Sequence, residues 1–524
     1  MPYYLGLDSS TQSVTAIVID SDARRVVFET SVQFDRDFPQ YGTTHGVLPR
    51  TAPAVAASSP VMWADALDGM MRRIASSGLD LSRLAAISGS AQQHGSVYLK
   101  AAARSALGAF DPAGALAGQL APLLSRTVSP IWMDSSTTAE CDEITAAVGG
   151  AERLSRHTGS RAFERFTGPQ IRRFFKQHPA EYGITDRIHL VSSYLASLLV
   201  GAHAPVDPGD GSGMNLMDLA TGDWWAPAVA ATAADLVSKL PDVRPSVSIA
   251  GMLSPYWQRR YGLPPARIVT WSGDNPCSLI GTGLVREGRM AISLGTSDVI
   301  FGLMNEPRVD PTGTGHVFGA PTGAFMGLTV FKNGSLARER VRDAFGMSWG
   351  EFSHALEATP PGNESRIFLP WYEPEITPAV MTPGVRRYGL DENDRSGHVR
   401  GVIESQMMSI ARHSRWMGVS VDTIYATGGA AANVQILQVM ADVFGADVYQ
   451  LEVGNSAALG AAIRAHHGDR AASGHPLGWD DAIAGLVEPK AASRLKPRRE
   501  TQGIYEKLMV RHAQCETEAL GAPI

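Results

Sequence analysis

Apolar runs of two periods divide the chain. Tyr3–Leu7, Val14–Asp20 and Val26–Val32 predict three successive strands with short links, and Leu84–Ser90 and Ile268–Trp271 predict further buried strands. Pro130–Asp134 reads as a short strand ending in an acid. Met290–Leu294 and Val299–Met304 predict a second strand–loop–strand unit that repeats the layout of the N-terminus. Helical spacing marks Trp63–Gly78, a long helix from near Asn433 through Val443, a small-residue helix from Gly454–Gly460, and a final helix from Gly503 to about Glu518. His189–Val206 is the most apolar long stretch, but Ser192, Ser193, Ser197 and Gly201 break it, so it predicts a buried helix rather than a membrane span. Ala101–Leu124 predicts a surface helix and loop, and Phe34–Pro60 an irregular stretch. Strands alternating with helices predict an α/β fold.

Length turns this pattern into more than one core. A chain of 524 residues exceeds one ordinary domain. The pattern divides it at 1–265, 266–485 and a covering segment 486–524, whose basic Pro489–Arg499 charges read as a solvated face. A hydrophobic share of 44% and a charged share of 19% describe a globular chain, and a formal charge of −6 argues against nucleic acid as the main partner. Cys141, Cys277 and Cys515 lie far apart, with neither metal-ligand spacing nor a disulfide framework, which suits a reducing cytoplasm. Met1–Leu7 lacks the layout of a signal peptide, and no membrane partner is expected.

Candidate chemistry sits at strand ends, where α/β proteins bind ligands. The link after the first strand, Asp8-Ser9-Ser10-Thr11-Gln12, offers hydroxyls and N–H groups to an anion and one carboxylate to a metal ion; a plain polar turn reads the same way. Gln92-Gln93-His94-Gly95 is an array able to hold a polyol. Arg161 and Arg165, with two aromatics, either line a pocket or are solvated over core. Asp207–Asn215 looks superficially like a calcium loop, misses the EF-hand spacing, and reads as a structural turn. Ser272-Gly273-Asp274-Asn275-Pro276 delivers an acid and an amide side by side. Asp274 either caps the helix that Pro276 is suited to begin or stands where a substrate binds. Gly295-Thr296-Ser297 is the second polar hairpin, and the pair suggests a duplicated fold holding phosphates. Gly428-Gly429, before Asn433, lets a flat ligand approach the backbone; the pattern is not GxGxxG.

These strings, with Trp132-Met133-Asp134 and Ser293–Ser297, occur in the order found in the FGGY carbohydrate kinases, which the chain resembles over roughly residues 3–465. Within the family it is most similar to the members that phosphorylate D-xylulose, in the longer form also found in animals. The resemblance implies two ribonuclease-H-like domains of the actin-like ATPase fold, with the active site in the cleft between them. It implies transfer of phosphate from ATP to D-xylulose with Mg²⁺ near Asp8. Asp274 falls at the position of the catalytic base, and His94, Arg165, Asp274 and Asn275 at those holding the ketopentose. Gly428, Gly429 and Asn433 fall in the adenosine motif, and Trp349 near the adenine pocket. Ser10, Thr11 and Gln12 fall in one phosphate loop, Gly295, Thr296 and Ser297 in the other. Gln93 stands where many bacterial members carry methionine, and Phe34–Pro60 is a longer insertion; both leave room for an altered substrate.

Phosphoryl transfer needs alignment and charge neutralisation more than covalent help. A general base is worth about a hundred- to ten-thousand-fold, and domain closure would exclude water as a competing acceptor. Three alternatives remain at this stage: a family member acting on another ketose, a polyol or a sugar acid; an actin-like ATPase without sugar kinase activity; and a catalytically silent relative. Asn275, where glycerol kinases usually carry glutamine, favours a ketopentose. The resemblance allows a homodimer, and no stretch identifies an interface.

Overall fold

The computed structural model describes residues 2–451 and 454–521, in two compact units. The first contains residues 1–285, 317–326 and 454–487; the second contains residues 286–316, 327–453 and 488–524. Among the described residues no helix is long and apolar enough to cross a membrane.

The first unit is built on strands β1 (Tyr3–Ser9), β2 (Ser13–Asp20), β3 (Arg25–Gln33), β4 (Leu84–Ala91), β5 (Ile249–Met252) and β6 (Arg267–Val269), in the order β5-β6-β4-β1-β2-β3. β1–β2–β3 is an antiparallel meander, whereas β4 and β6 run parallel to β1. Continuous apolar sequence suits β1 because it is covered on both faces. One cover is the helix Ser456–Ala472, whose small residues permit near contact of backbones: a Cβ on Gly6 would lie 2.1 Å from the Ala458 carbonyl, and one on Gly460 would lie 1.9 Å from that of Cys277.

The second unit repeats the plan. Strands β7 (Arg289–Leu294), β8 (Asp298–Met304), β9 (Phe325–Phe331), β10 (Thr423–Thr427) and β11 (Asp447–Gln450) are ordered β9-β8-β7-β10-β11. β7 and β8 are antiparallel, while β10 and β11 run parallel to β7. In each unit a polar hairpin tip joins the first two strands, and a polar loop follows the strand parallel to the first. The tips are Ser10–Gln12 and Gly295–Ser297; the loops begin at Gln92 and Gly428.

The structure moves several sequence expectations. The boundary falls after Val285 rather than at 265, because β6 and Ser272–Gly273 pair with β4. Residues 454–487 belong to the first unit through the same small-residue packing, so the segment 266–485 is not one domain. Residues 488–524 are an integral part of the second unit: Tyr505 Oη donates to Glu404 Oε1 at 2.8 Å and accepts from Arg400 Nη2 at 2.7 Å. Most of the basic tail is the solvated face expected, with Lys490, Arg494, Lys496 and Arg499 exposed, but two of its arginines are also paired: Arg498 Nε donates to the buried Asp442 at 2.9 Å and Arg494 Nε to Asp447 at 2.9 Å. Of the expected Pro130–Asp134 strand only Pro130 is in a strand, the short Ser129–Pro130; Asp134 turns away to accept from Ser136 N and Gln170 Nε2. The buried helix begins at Val191, with His189 in a preceding strand.

Candidate functional sites of the two units

In the first unit the register places Asp8 opposite Ser90, and Ser90 Oγ donates to Asp8 Oδ1 at 2.6 Å. Asp274 opens the helix Asp274–Gly281, with Gly273 in the N-cap position. Asp274 is therefore not the cap, and Pro276 sits within the first turn, where its missing N–H costs nothing. Asp274 Oδ1 accepts from Asn275 N at 2.8 Å and Asn275 Nδ2 at 3.1 Å. The same Nδ2 donates to Gln93 Oε1 at 2.9 Å. With both amide protons engaged, the Asn275 carbonyl is left to accept from a ligand hydroxyl.

Electrostatics mark the two acids. Burial pushes the Asp274 carboxyl up to about 7, and the charge of Asp8 adds to the rise. Burial pushes Asp8 up to about 6 against the lowering effect of the Ser90 hydrogen bond. Among the described residues neither has a basic side chain as a hydrogen-bond partner. Among the described residues no group of three His, Cys, Asp or Glu could hold a metal ion. The donor set at Asp8, a carboxylate with the Ser90 hydroxyl 2.6 Å away, fits Mg²⁺ held by one or two carboxylates plus substrate phosphates. Two half-buried carboxylates suit such a cation.

His94 is fixed in one tautomer. Its Nδ1 lies 2.8 Å from the Gly213 carbonyl, which can only accept, so Nδ1 carries the proton and Nε2 is an acceptor. Burial, then the Arg165 charge, pushes it down to about 3, so the ring stays neutral. The His94 and Phe166 rings are 4.6 Å apart, and the half-buried Arg165 lies 5.3 Å over the buried Phe166, a placement compatible with both readings of that arginine. Ser10, Thr11 and Gln12 form the hairpin tip, with Thr11 Oγ1 accepting from Trp132 Nε1 at 2.8 Å.

The second unit holds a cavity of about 960 Å³. Gly295, Thr296, Trp349, Gly429 and Asn433 line it, a size suited to a nucleotide. Ser297 and Gly428 do not line it. Gly428 instead shapes the turn: its φ is +86° and a Cβ there would meet the Leu294 carbonyl at 2.6 Å. Asn433 Oδ1 accepts from Gln435 N and Ile436 N, capping the helix Val434–Phe444, while its Nδ2 donates to Ser353 Oγ at 2.6 Å and ties the cavity's two walls. Trp349 is 44% exposed, with the Arg342 guanidinium 4.6 Å from its ring.

Three contributors were missed in sequence. Ser90 lies within the apolar strand β4, with nothing in sequence to distinguish it. Arg338 is fully buried against Asp298 at 2.9 Å and also reaches the Gly295 carbonyl, fixing the second hairpin tip. The segment Asp207–Asn215, read as a turn, carries the Gly213 carbonyl under His94.

Two units share a central plan of antiparallel strands followed by parallel ones, one carrying an acid–amide pair and the other a nucleotide-sized cavity, which is consistent with the actin-like ATPase fold. The chain belongs to the FGGY family of carbohydrate kinases: residues 123–281 match the family's N-terminal domain and residues 290–468 its C-terminal domain. Membership implies ATP as phosphoryl donor and a small-molecule carbohydrate as acceptor. The chain is 42% identical to the xylulose kinase of Rattus norvegicus, covering 98% of this chain and 97% of that one. Its fold is that of the xylulose kinase of Rhodospirillum rubrum (TM-score 0.81, 20% identity, 98% of each chain). It is also that of the gluconate kinase of Lactobacillus acidophilus (TM-score 0.80, 18% identity, 99% and 98% covered).

Proposed function

We propose that the protein transfers the γ-phosphoryl group of ATP to D-xylulose, giving ADP and D-xylulose 5-phosphate. The observation that carries this reading is the 42% identity, over 98% of the chain, with a relative named for that sugar.

The acceptor pocket is assigned to His94, Gln93, Arg165, Asp274 and Asn275. His94 Nε2 and the Asn275 carbonyl accept from sugar hydroxyls, and Arg165 donates. Asp274 orients the terminal hydroxyl and takes its proton as the oxygen attacks phosphorus. A carboxyl poised near 7 suits that role, because its ionised form is present at working pH and still holds a proton firmly. The phosphates are assigned to the tips Ser10–Gln12 and Gly295–Ser297, and the adenosine to Trp349, Gly428, Gly429 and Asn433. Asp8 is the residue assigned to Mg²⁺, which when bound neutralises phosphate charge. The three cysteines are free and buried, which supports a cytoplasmic setting.

The test is ADP release with Mg-ATP and D-xylulose, L-xylulose, D-ribulose, L-ribulose, glycerol, D-arabitol or gluconate. Strong stimulation by D-xylulose alone is expected. Stimulation by another acceptor alone would overturn the substrate while leaving the chemistry.

A further inference from the structure

The segment Asp207–Asn215 lies directly beneath the acceptor residues. Its Gly213 carbonyl holds His94, Asp207 Oδ1 accepts from Ser272 Oγ at 2.8 Å, and Gly209 approaches Pro276 so closely that a Cβ on it would meet that ring at 3.0 Å. At its centre is Asp210, 1% exposed, on a short helix capped by Asp207. Ser192 Oγ donates to Asp210 Oδ2, while Asp210 Oδ1 is buried with no hydrogen-bond partner. That oxygen faces the pocket wall: the point where a Cβ on Gly273 would stand is 2.9 Å from Asp210 Oδ1 and 2.8 Å from Gln93 Nε2. Glycine at 273 thus lets the carboxyl and the Gln93 amide approach each other. Gln93 Nε2 has only a long 3.5 Å contact, to the Gly209 carbonyl, and can spare a proton.

We propose that Asp210 is a positioning residue for the acceptor pocket: its unpartnered Oδ1, on the same side of Gly273 as Gln93 Nε2, attracts that amide N–H so that Gln93 Oε1 stays turned toward Asn275. The chain Ser192–Asp210–Gln93–Asn275 then fixes which face of the Asn275 amide meets the sugar. An amide free to flip would present a donor where the sugar hydroxyl needs an acceptor. The inference rests on the assignment of Asn275 to the acceptor pocket.

The test compares D210L, which keeps bulk and removes both oxygens, with D210N, which keeps a carbonyl able to face Gln93 while its amide meets Ser192. D210L is expected to raise KM for D-xylulose about tenfold, with KM for ATP within about twofold of the parent, as for loss of one buried hydrogen bond. D210N is expected to stay within about threefold of the parent on the same reasoning. Because the residues act as one chain, D210L/Q93A should be no worse than Q93A alone. An unchanged sugar KM in D210L, multiplying penalties in the double variant, or D210N as impaired as D210L would each overturn the proposal. Should D210L fail to bind ATP and so not fold, S192A decides: a raised sugar KM supports the chain and an unchanged one refutes it. Parent enzyme unstimulated by D-xylulose would instead refute the proposed function.

Discussion

Asn275 donates through one amide nitrogen to Gln93 Oε1 at 2.9 Å and to Asp274 Oδ1 at 3.1 Å. The acid proposed to take the substrate proton and the amide proposed to hold the sugar are thereby locked in one arrangement. N275A releases Gln93 and one contact to Asp274 together. Sugar KM should rise and kcat should fall, with nucleotide affinity unchanged; steady-state kinetics in both substrates check this. A loss confined to KM for ATP would contradict it.

Asp274 and Asp8 titrate upward, to about 7 and about 6, and interact, so they act as a pair. Both must be ionised for their assigned roles, so kcat/KM for the sugar should fall as pH drops through about 7. In S90A the bond that favours charged Asp8 is gone, its pKa rises further, and the acid limb should move to higher pH. A pH–rate profile of both proteins shows the shift; a limb moving to lower pH would contradict it.

The same acid has a stability signature. Its folded-state pKa is above its ordinary 3.8, so its contribution to stability is complete below the ordinary carboxylate range and is lost as pH rises through about 7. D274N removes that loss. Its Tm should exceed that of the parent at pH 8, with the difference shrinking toward pH 5. Thermal unfolding at both pH values decides, and a pH-independent difference would contradict the assignment.

His94 should remain neutral, protonated on Nδ1, from pH 5 to 8, because its pKa is pushed down to about 3. Nitrogen shifts of ¹⁵N-histidine-labelled protein report this. H94A should raise sugar KM; an imidazolium signal near pH 6 would contradict the acceptor role of Nε2.

Much of this was legible in sequence where a local pattern sets local geometry. Both hairpin tips are short polar runs between apolar strands, and Gly428 stands where a positive φ is required. Asp207–Asn215 was not legible, because two aspartates among glycines read equally as a turn; only the packing of Gly209 on Pro276 and of Gly213 under His94 makes it a floor. The unit boundary was missed for the same reason. The helix Ser456–Ala472 follows the second sheet's last strand in sequence yet packs on β1 in the first unit, a long-range contact that no periodicity reveals.

The central claim is that Asp274 takes the proton from the acceptor hydroxyl. Its most direct test is single-turnover formation of D-xylulose 5-phosphate by the parent and D274A, with ATP binding to D274A titrated alongside. The expected result is a fall in rate of about a hundredfold or more with ATP affinity retained. Turnover close to the parent's in D274A that still binds ATP would contradict it.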